Sequence, residues 1–280
     1  MSDETSLIRF GVIADPQYAD ADPWAELDRH YRESPRKLRE AITVLNNEDL
    51  SFVVTLGDLI DRDAKSFGDI LPVYDALRHE SFLMPGNHDF SIAPDLLAKV
   101  HETLGMPAPW HHFARNGFRF VVIDGNEVSL FSAPEGHPRR ALAQQMLDTL
   151  LAEGAINAKP WNAGISDEQF SWLKSVLEKA KADGEKVIVM GHYPLFPEND
   201  HNLWNAQKLI DLFEQAGNVT AYLNGHNHVG NLGRHGSTWY VNFKGMVDTK
   251  DENSFAVVEI FADRIEITGH GREESRSLPL

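Results

Sequence analysis

The 280-residue chain contains no cysteine. That absence removes disulfides, thiolate metal sites and a cysteine nucleophile from consideration, although it does not fix the compartment. Basic residues are scarce beside acidic ones, 26 Lys and Arg against 42 Asp and Glu, for a formal net charge of −16. A surface this acidic repels nucleic-acid phosphates unless a basic patch overrides it. The most basic short stretch, Arg36-Lys37-Leu38-Arg39, is expected to be a solvated helix face, so no nucleic-acid partner is expected. No apolar run is long enough to cross a bilayer. The opening Met1-Ser2-Asp3-Glu4-Thr5 is acidic where a signal peptide is basic and then apolar. A cytoplasmic protein, not membrane-bound and with no obligate protein partner, is the expectation. Low-complexity runs, internal repeats and linkers are also missing. The length suits one domain over residues 1–280 with a deep core.

What the chain does have is a set of polar clusters at the ends of apolar runs. Gly57-Asp58-Leu59-Ile60-Asp61 follows Phe52-Val53-Val54-Thr55-Leu56, and Gly86-Asn87-His88-Asp89 follows Phe82-Leu83-Met84-Pro85. Each run reads as a buried strand, and each glycine lets the backbone turn sharply. Asp15-Pro16-Gln17, Gly191-His192 and Gly225-His226-Asn227-His228 sit at three similar strand ends. Polar loops past buried strands are where open α/β proteins hold reactive groups.

Between these clusters the pattern alternates. Strands are predicted over residues 7–14, 51–56, 81–84, 118–123, 186–190 and 219–223. Ser34 and Pro35 are expected to open a helix, as N-cap and first helical residue, with Leu38, Ile42 and Leu45 on its buried face. Further helices are expected around residues 71–77 and over 91–104, 138–151 and 202–216, the last closed by Gly217. Ser166-Asp167-Glu168-Gln169 reads as a capping box opening a helix with Phe170, Leu173, Val176 and Leu177 on one face. Residues 238–243, 255–261 and 264–268 alternate and suggest antiparallel strands. The fold class is therefore α/β: a two-sheet mixed β-sandwich flanked by helices, in four layers, with the polar loops at one edge. Residues 125–165 form the least regular stretch and are expected to be an insertion over the site, too short for a core of its own.

Carboxylates suit hard or borderline cations, imidazole suits Mn, Fe and Zn, and an amide oxygen adds a weaker neutral donor. The pooled Asp, Gln, Asn and His groups therefore fit a pair of divalent metals, with Mn, Fe or Zn suited better than Mg alone. Two such ions lie about 3.5–4 Å apart in two-metal hydrolases and act together on a phosphate.

With these residues assembled, the chain resembles the calcineurin-like metallophosphoesterase superfamily. That superfamily's motifs run D-x-H, G-D-x-x-D/R, G-N-H-D/E, G-H and G-H-x-H, and all five occur here in order from Asp15 to His228, with Gln17 replacing the usual His. Ala14-Asp15-Pro16-Gln17-Tyr18-Ala19-Asp20 is similar to the first motif of the manganese-dependent ADP-ribose/CDP-alcohol diphosphatases. Asp28 to Ser34, Asn162 to Ser166, Gly245 to Thr249 and Gly269 to Arg272 also resemble that subfamily, although Pro16 replaces its usual aliphatic residue. The resemblance implies that Asp15, Gln17 and His228 hold a first metal, that Asn87, His192 and His226 hold a second, and that Asp58 bridges them. It implies a non-ligand catalytic His88, oriented and made more basic by Asp61, and a metal-bridging hydroxide as nucleophile. The implied reaction is hydrolysis of the pyrophosphate in small nucleotide-derived substrates such as ADP-ribose and CDP-alcohols. Cyclic-nucleotide or other diester hydrolysis at the same site is the alternative, and an inert interaction module on this fold is a third reading.

Other residues keep two readings. Gln17 is a ligand or a hydrogen-bonding loop residue. Arg62 clamps phosphate, as an arginine at that position does in protein phosphatases, or pairs with Asp63 at the surface. Tyr18, Trp24, Tyr193 and Trp204 lie near the motif loops, where one could stack on a nucleobase. Ordinary packing is the alternative for each. His111, His112 and His201 are extra pocket groups or exposed loop histidines, and Asp124 is expected to be structural.

Overall fold

The apolar runs pair into two six-stranded mixed sheets in a computed structural model that describes residues 5–280. In chain order, β1 (Ile8–Ile13) passes through two 3-10 turns to α1 (Ser34–Leu45), β2 (Val53–Leu56), α2 (Lys65–Tyr74) and β3 (Ser81–Met84). A one-turn α3 (Val100–Thr103) precedes β4 (His111–Arg115) and β5 (Phe118–Val122). Next come α4 (Pro138–Glu153), α5 (Asp167–Ala182), β6 (Lys186–Met190), α6 (Ala206–Ala216) and β7 (Val219–Asn224). The chain closes with β8 (Asn231–His235), β9 (Thr238–Asn242), β10 (Ser254–Ile260), β11 (Arg264–Gly271) and β12 (Arg276–Pro279).

One sheet has the order β12-β11-β10-β1-β2-β3 and the other β4-β5-β6-β7-β9-β8. Strands β1, β2 and β3 run parallel, as do β5, β6, β7 and β9. The inner faces bury one another: Phe10 stacks on Phe52 at 4.9 Å between ring centroids, and Phe120 of the opposite sheet meets Phe52 edge-on at 5.0 Å. Helices cover the outer faces. Leu38, Ile42 and Leu45 of α1 pack with Ile13 and Val53, while Leu173, Leu177, Leu209 and Phe213 of α5 and α6 pack with Val187 and Val189. Each such side chain contributes roughly 1.5–3 kcal/mol by leaving water. The result is the four-layer helix–sheet–sheet–helix arrangement expected from the alternation of elements. Among the described residues, no helix is long and apolar enough to cross a membrane.

Several local expectations change. Residues 91–104 form turns, a 3-10 turn and the short α3 instead of one helix. Pro94 lacks an N–H and biases Ala93 away from helix, and the Ser91 carbonyl is already taken by the Asp63 N–H. Ser34 is the first helical residue rather than a cap, because the 3-10 turn Tyr31–Glu33 runs straight into α1. Ser166 does cap α5, accepting from the Gln169 N–H, but Glu127 rather than Gln169 accepts the Ser166 N–H. Thr238–Asn242 pairs antiparallel with β8 but parallel with β7. Within the basic stretch, Arg36 and Arg39 are on the outside but Lys37 is fully buried. Strands β4, β8 and β12 are additions to the predicted set.

Candidate active site

Every polar cluster lies just past the C-terminal end of a parallel strand: Asp15 and Gln17 after β1, Asp58 and Asp61 after β2, Asn87 and His88 after β3, His192 after β6, His226 and His228 after β7. The loops interlock across the two sheets. The His226 N–H donates to the Asp15 carboxylate at 3.2 Å, and the His88 N–H to Asp58 Oδ1 at 2.8 Å. Asp15, Gln17, Asp58 and His226 all have positive φ, at 48°, 46°, 50° and 68°. Such conformations cost non-glycine residues roughly 1–3 kcal/mol each and persist where the surroundings enforce them. Here the Gln17 N–H donates to the Asp58 carbonyl at 2.7 Å and the Asp15 N–H to the Gly57 carbonyl at 3.3 Å. Gly86 is required by packing, since a Cβ there would overlap Asp58 and the His192 ring.

Two groups of donor atoms result. Asp58, His192 and His226 offer atoms all within 4.8 Å of one another, and so do Asp15, Asp58 and His228. Asp58 belongs to both groups. His192 Nε2 is 3.4 Å from Asp58 Oδ2, and His228 Nε2 is 3.7 Å from Asp15 Oδ1. The opposite ring nitrogens are tied down. His192 Nδ1 donates to the Leu56 carbonyl at 2.8 Å, His228 Nδ1 to Asp248 at 2.8 Å, and His226 Nε2 to Asn162 Oδ1 at 3.0 Å. These partners fix each ring and leave the other nitrogen's lone pair for a ligand.

The donor set fits cations on two further observations. Gln17 Nε2 donates to Asp61 Oδ1 at 3.0 Å, which leaves Gln17 Oε1 buried with no partner. An orphaned buried oxygen costs about 1–3 kcal/mol, and a cation would remove that cost. His192 Nε2 also lies 3.1 Å from Asn87 Oδ1. With Nδ1 already donating, two lone pairs would face each other there unless a proton or cation intervenes. Burial disfavours a charged ring, but the Asp58 charge and hydrogen bond outweigh it and raise the His192 pKa to about 9. The ring keeps a proton on the side where a cation would bind.

His88 stands beside these groups. Its Nδ1 is 3.1 Å from Asp61 Oδ1, and its ring faces the cavity. Burial works against the imidazolium, but Asp58 and Asp61 raise its pKa overall. Asp61 also accepts from Arg62, whose guanidinium lies over the Tyr31 ring at 5.5 Å. Arg62 therefore pairs with Asp61 rather than Asp63, and does not line the cavity. Asp89 ties two ligand loops together, accepting from the N–H groups of Leu59, Ile60 and Gly86.

A cavity of about 360 Å³ opens over the donors, lined by Trp24, Leu27, Arg29, Trp161 and His201 together with Asp58, Asn87, His88, His226 and His228. Trp24 thus faces the site, and the ring of His201 packs 5.3 Å from that of His226. The other aromatic candidates lie elsewhere. Tyr193 is fully buried, its hydroxyl donating to Asn126 and its ring supporting those of His192 and His226. Tyr18 turns its hydroxyl to Asp69, and Trp204 is buried with its indole N–H on the Lys159 carbonyl. His111 and His112 are on edge strand β4, and Asp124 accepts from the Asn126 N–H. The sequence reading gave no role to Arg29, Trp161, Asn162 or Asp248. Each lies inside or beside a stretch noted only for its family resemblance, which was the available signal.

Residues 8–230 match the calcineurin-like phosphoesterase family, and the chain belongs to that family. It is a metal-dependent hydrolase. More particularly, it resembles the manganese-dependent ADP-ribose/CDP-alcohol diphosphatases. It is 26% identical over 314 residues to the one from Homo sapiens, across 96% of this chain and 92% of that protein. It is likewise 26% identical over 298 residues to the one from Arabidopsis thaliana, across 96% of each. The crystal structure of a dimetal phosphatase from Danio rerio shares the fold at a TM-score of 0.86 and 24% identity, across 98% of this chain and 99% of that one.

Proposed function

We propose that the chain hydrolyses the pyrophosphate bond of small nucleoside diphosphate derivatives, with ADP-ribose and CDP-alcohols as the first substrates to test. The observation that carries this reading is the sharing of Asp58 between two ligand groups, together with the buried Gln17 Oε1 that has no partner. Asp15, Gln17 and His228 would hold one divalent cation and Asn87, His192 and His226 the other, with Asp58 common to both. Manganese is the preferred metal, given the names of the relatives. Bound there, the pair would acidify water and offset the charge that builds up on phosphorus.

The chain's own residues do the rest. In the reaction an oxygen from water joins the attacked phosphorus, and the bridging P–O bond breaks so that the bridging oxygen leaves with the other phosphoryl group. His88, held by Asp61, delivers a proton to the departing oxygen or steadies its charge. Trp24 and Trp161, 46% and 44% exposed at the mouth, offer flat faces to a nucleobase. Arg29 is the cationic side chain that lines the cavity, and suits the phosphate that is not attacked.

Purified protein with Mn2+ should release AMP from ADP-ribose. No turnover of any such diphosphate, beside brisk hydrolysis of cyclic nucleotides or other phosphodiesters, would overturn the substrate assignment in favour of a diesterase.

A further inference from the structure

Lys37 lies outside both ligand groups, yet the fold buries it completely. Its Nζ donates to three main-chain carbonyls of one loop: Met246 at 2.8 Å, Asp248 at 2.7 Å and Thr249 at 2.6 Å. Three carbonyl acceptors match the three protons of an ammonium, whereas a neutral amine has only two. Burial lowers the Lys37 pKa to about 8, and Arg272 adds to the shift, but the group still carries its charge at neutral pH. Removing an ammonium from water is costly, so bonds of this quality are needed to keep it inside.

The loop that Lys37 holds is the outer wall of one ligand group. The Met246 N–H donates to the Ala14 carbonyl at 2.8 Å, the Val247 N–H to the Asp15 carbonyl at 3.0 Å and the Gly245 N–H to the His228 carbonyl at 3.2 Å. Asp248 accepts from His228 Nδ1. Gly245 has no room for a side chain, because a Cβ would lie 2.6 Å from the His228 ring. Thr249 has a φ of +62°, which a β-branched residue strongly avoids. Three bonds hold it there, from its N–H to the Asp28 carbonyl at 2.7 Å, from its hydroxyl to the Glu252 carbonyl at 2.9 Å and from Lys37 to its own carbonyl.

We infer that Lys37 is a positioning residue for the cation site built from Asp15, Asp58 and His228. Its ammonium gathers the carbonyls of residues 246–249, so that Asp248 orients the His228 imidazole and the loop amides fix the Asp15 backbone. The inference rests on the two-cation reading above.

The test is Mn2+ binding to metal-depleted protein by calorimetry, with electron paramagnetic resonance to report paired manganese. Lys37→Met keeps the length of the stem and removes the donors. Partners behind metal ligands typically cost about 10–100-fold in affinity when lost. One of the two Mn2+ sites should weaken by that factor while the other keeps its affinity. The paired-manganese signal should vanish at stoichiometric metal and return in excess. Lys37→Gln, which retains a two-proton donor and is less disruptive to the fold, should give the same shift in smaller measure. Asp248→Ala should weaken the same site, and adding Lys37→Met to it should do little more. A lowered melting temperature with both affinities intact, or equal weakening at both sites, would make Lys37 merely structural. A wild-type chain that binds fewer than two Mn2+ would overturn the two-cation reading and this inference with it.

Discussion

Around Asp15 and His228 the supports are charged, whereas around His192 and His226 they are neutral. His228 leans on the Asp248 carboxylate, with Arg29 and Arg272 each 3.9 Å from that carboxylate and Lys37 beneath the loop. His192 leans on a main-chain carbonyl and His226 on the Asn162 amide. The donors differ in the same direction. One group has two carboxylates and one imidazole, the other one carboxylate and two imidazoles. Carboxylate-rich sites suit harder cations and imidazole-rich sites softer ones. The two candidate ligand groups are therefore unequal in their donors, and Asp58 belongs to both.

Four substitutions break or sharpen that contrast. Asp58→Asn should have the largest effect, because it is the shared donor: both cations should be lost together in elemental analysis, with activity near background. Loss of one cation alone would mean that the two groups are not joined through this residue. His88→Ala should come next. It lies in neither group, so metal content should stay at the wild-type level while turnover drops by roughly 10²–10⁴-fold, as for a lost proton donor. Metal loss in that variant would place His88 among the ligands. The smallest effect separates the supports themselves. Asp248→Asn should weaken one Mn2+ site by about 10–100-fold, and Asn162→Ala should weaken the other by less. The reverse order, measured by calorimetry, would contradict the contrast between charged and neutral supports.

The strand-end clusters were legible because apolar runs, a following glycine and a metal-binding side chain all lie close together in sequence. The groups behind them were not. Asp248 reaches His228 across 20 residues, and Asn162 reaches His226 across 64. No local pattern announces contacts of that span. Lys37 was read as solvated because a run of basic residues usually is, and only the path of the loop 246–249 shows why one member turns inward. One omission had a local signal: Asn116 and Gly117, with φ of 50° and 80°, make the tight turn of the β4–β5 hairpin. The aromatic assignments diverged because exposure is a tertiary property, which left Trp24 at the mouth and sealed Tyr193 beneath the imidazoles.

Trp161 and Asn162 are neighbours in the chain with separate duties, one at the rim of the cavity and one bonded to His226. Any insertion, deletion or backbone shift that reshapes the rim will therefore also pull on an imidazole of the candidate ligand set. Altering which molecules enter without detuning the metal calls for side-chain exchange at position 161 alone. The tether at 162, whose amide also donates to the Asn157 and Asp200 carbonyls, has to stay as it is.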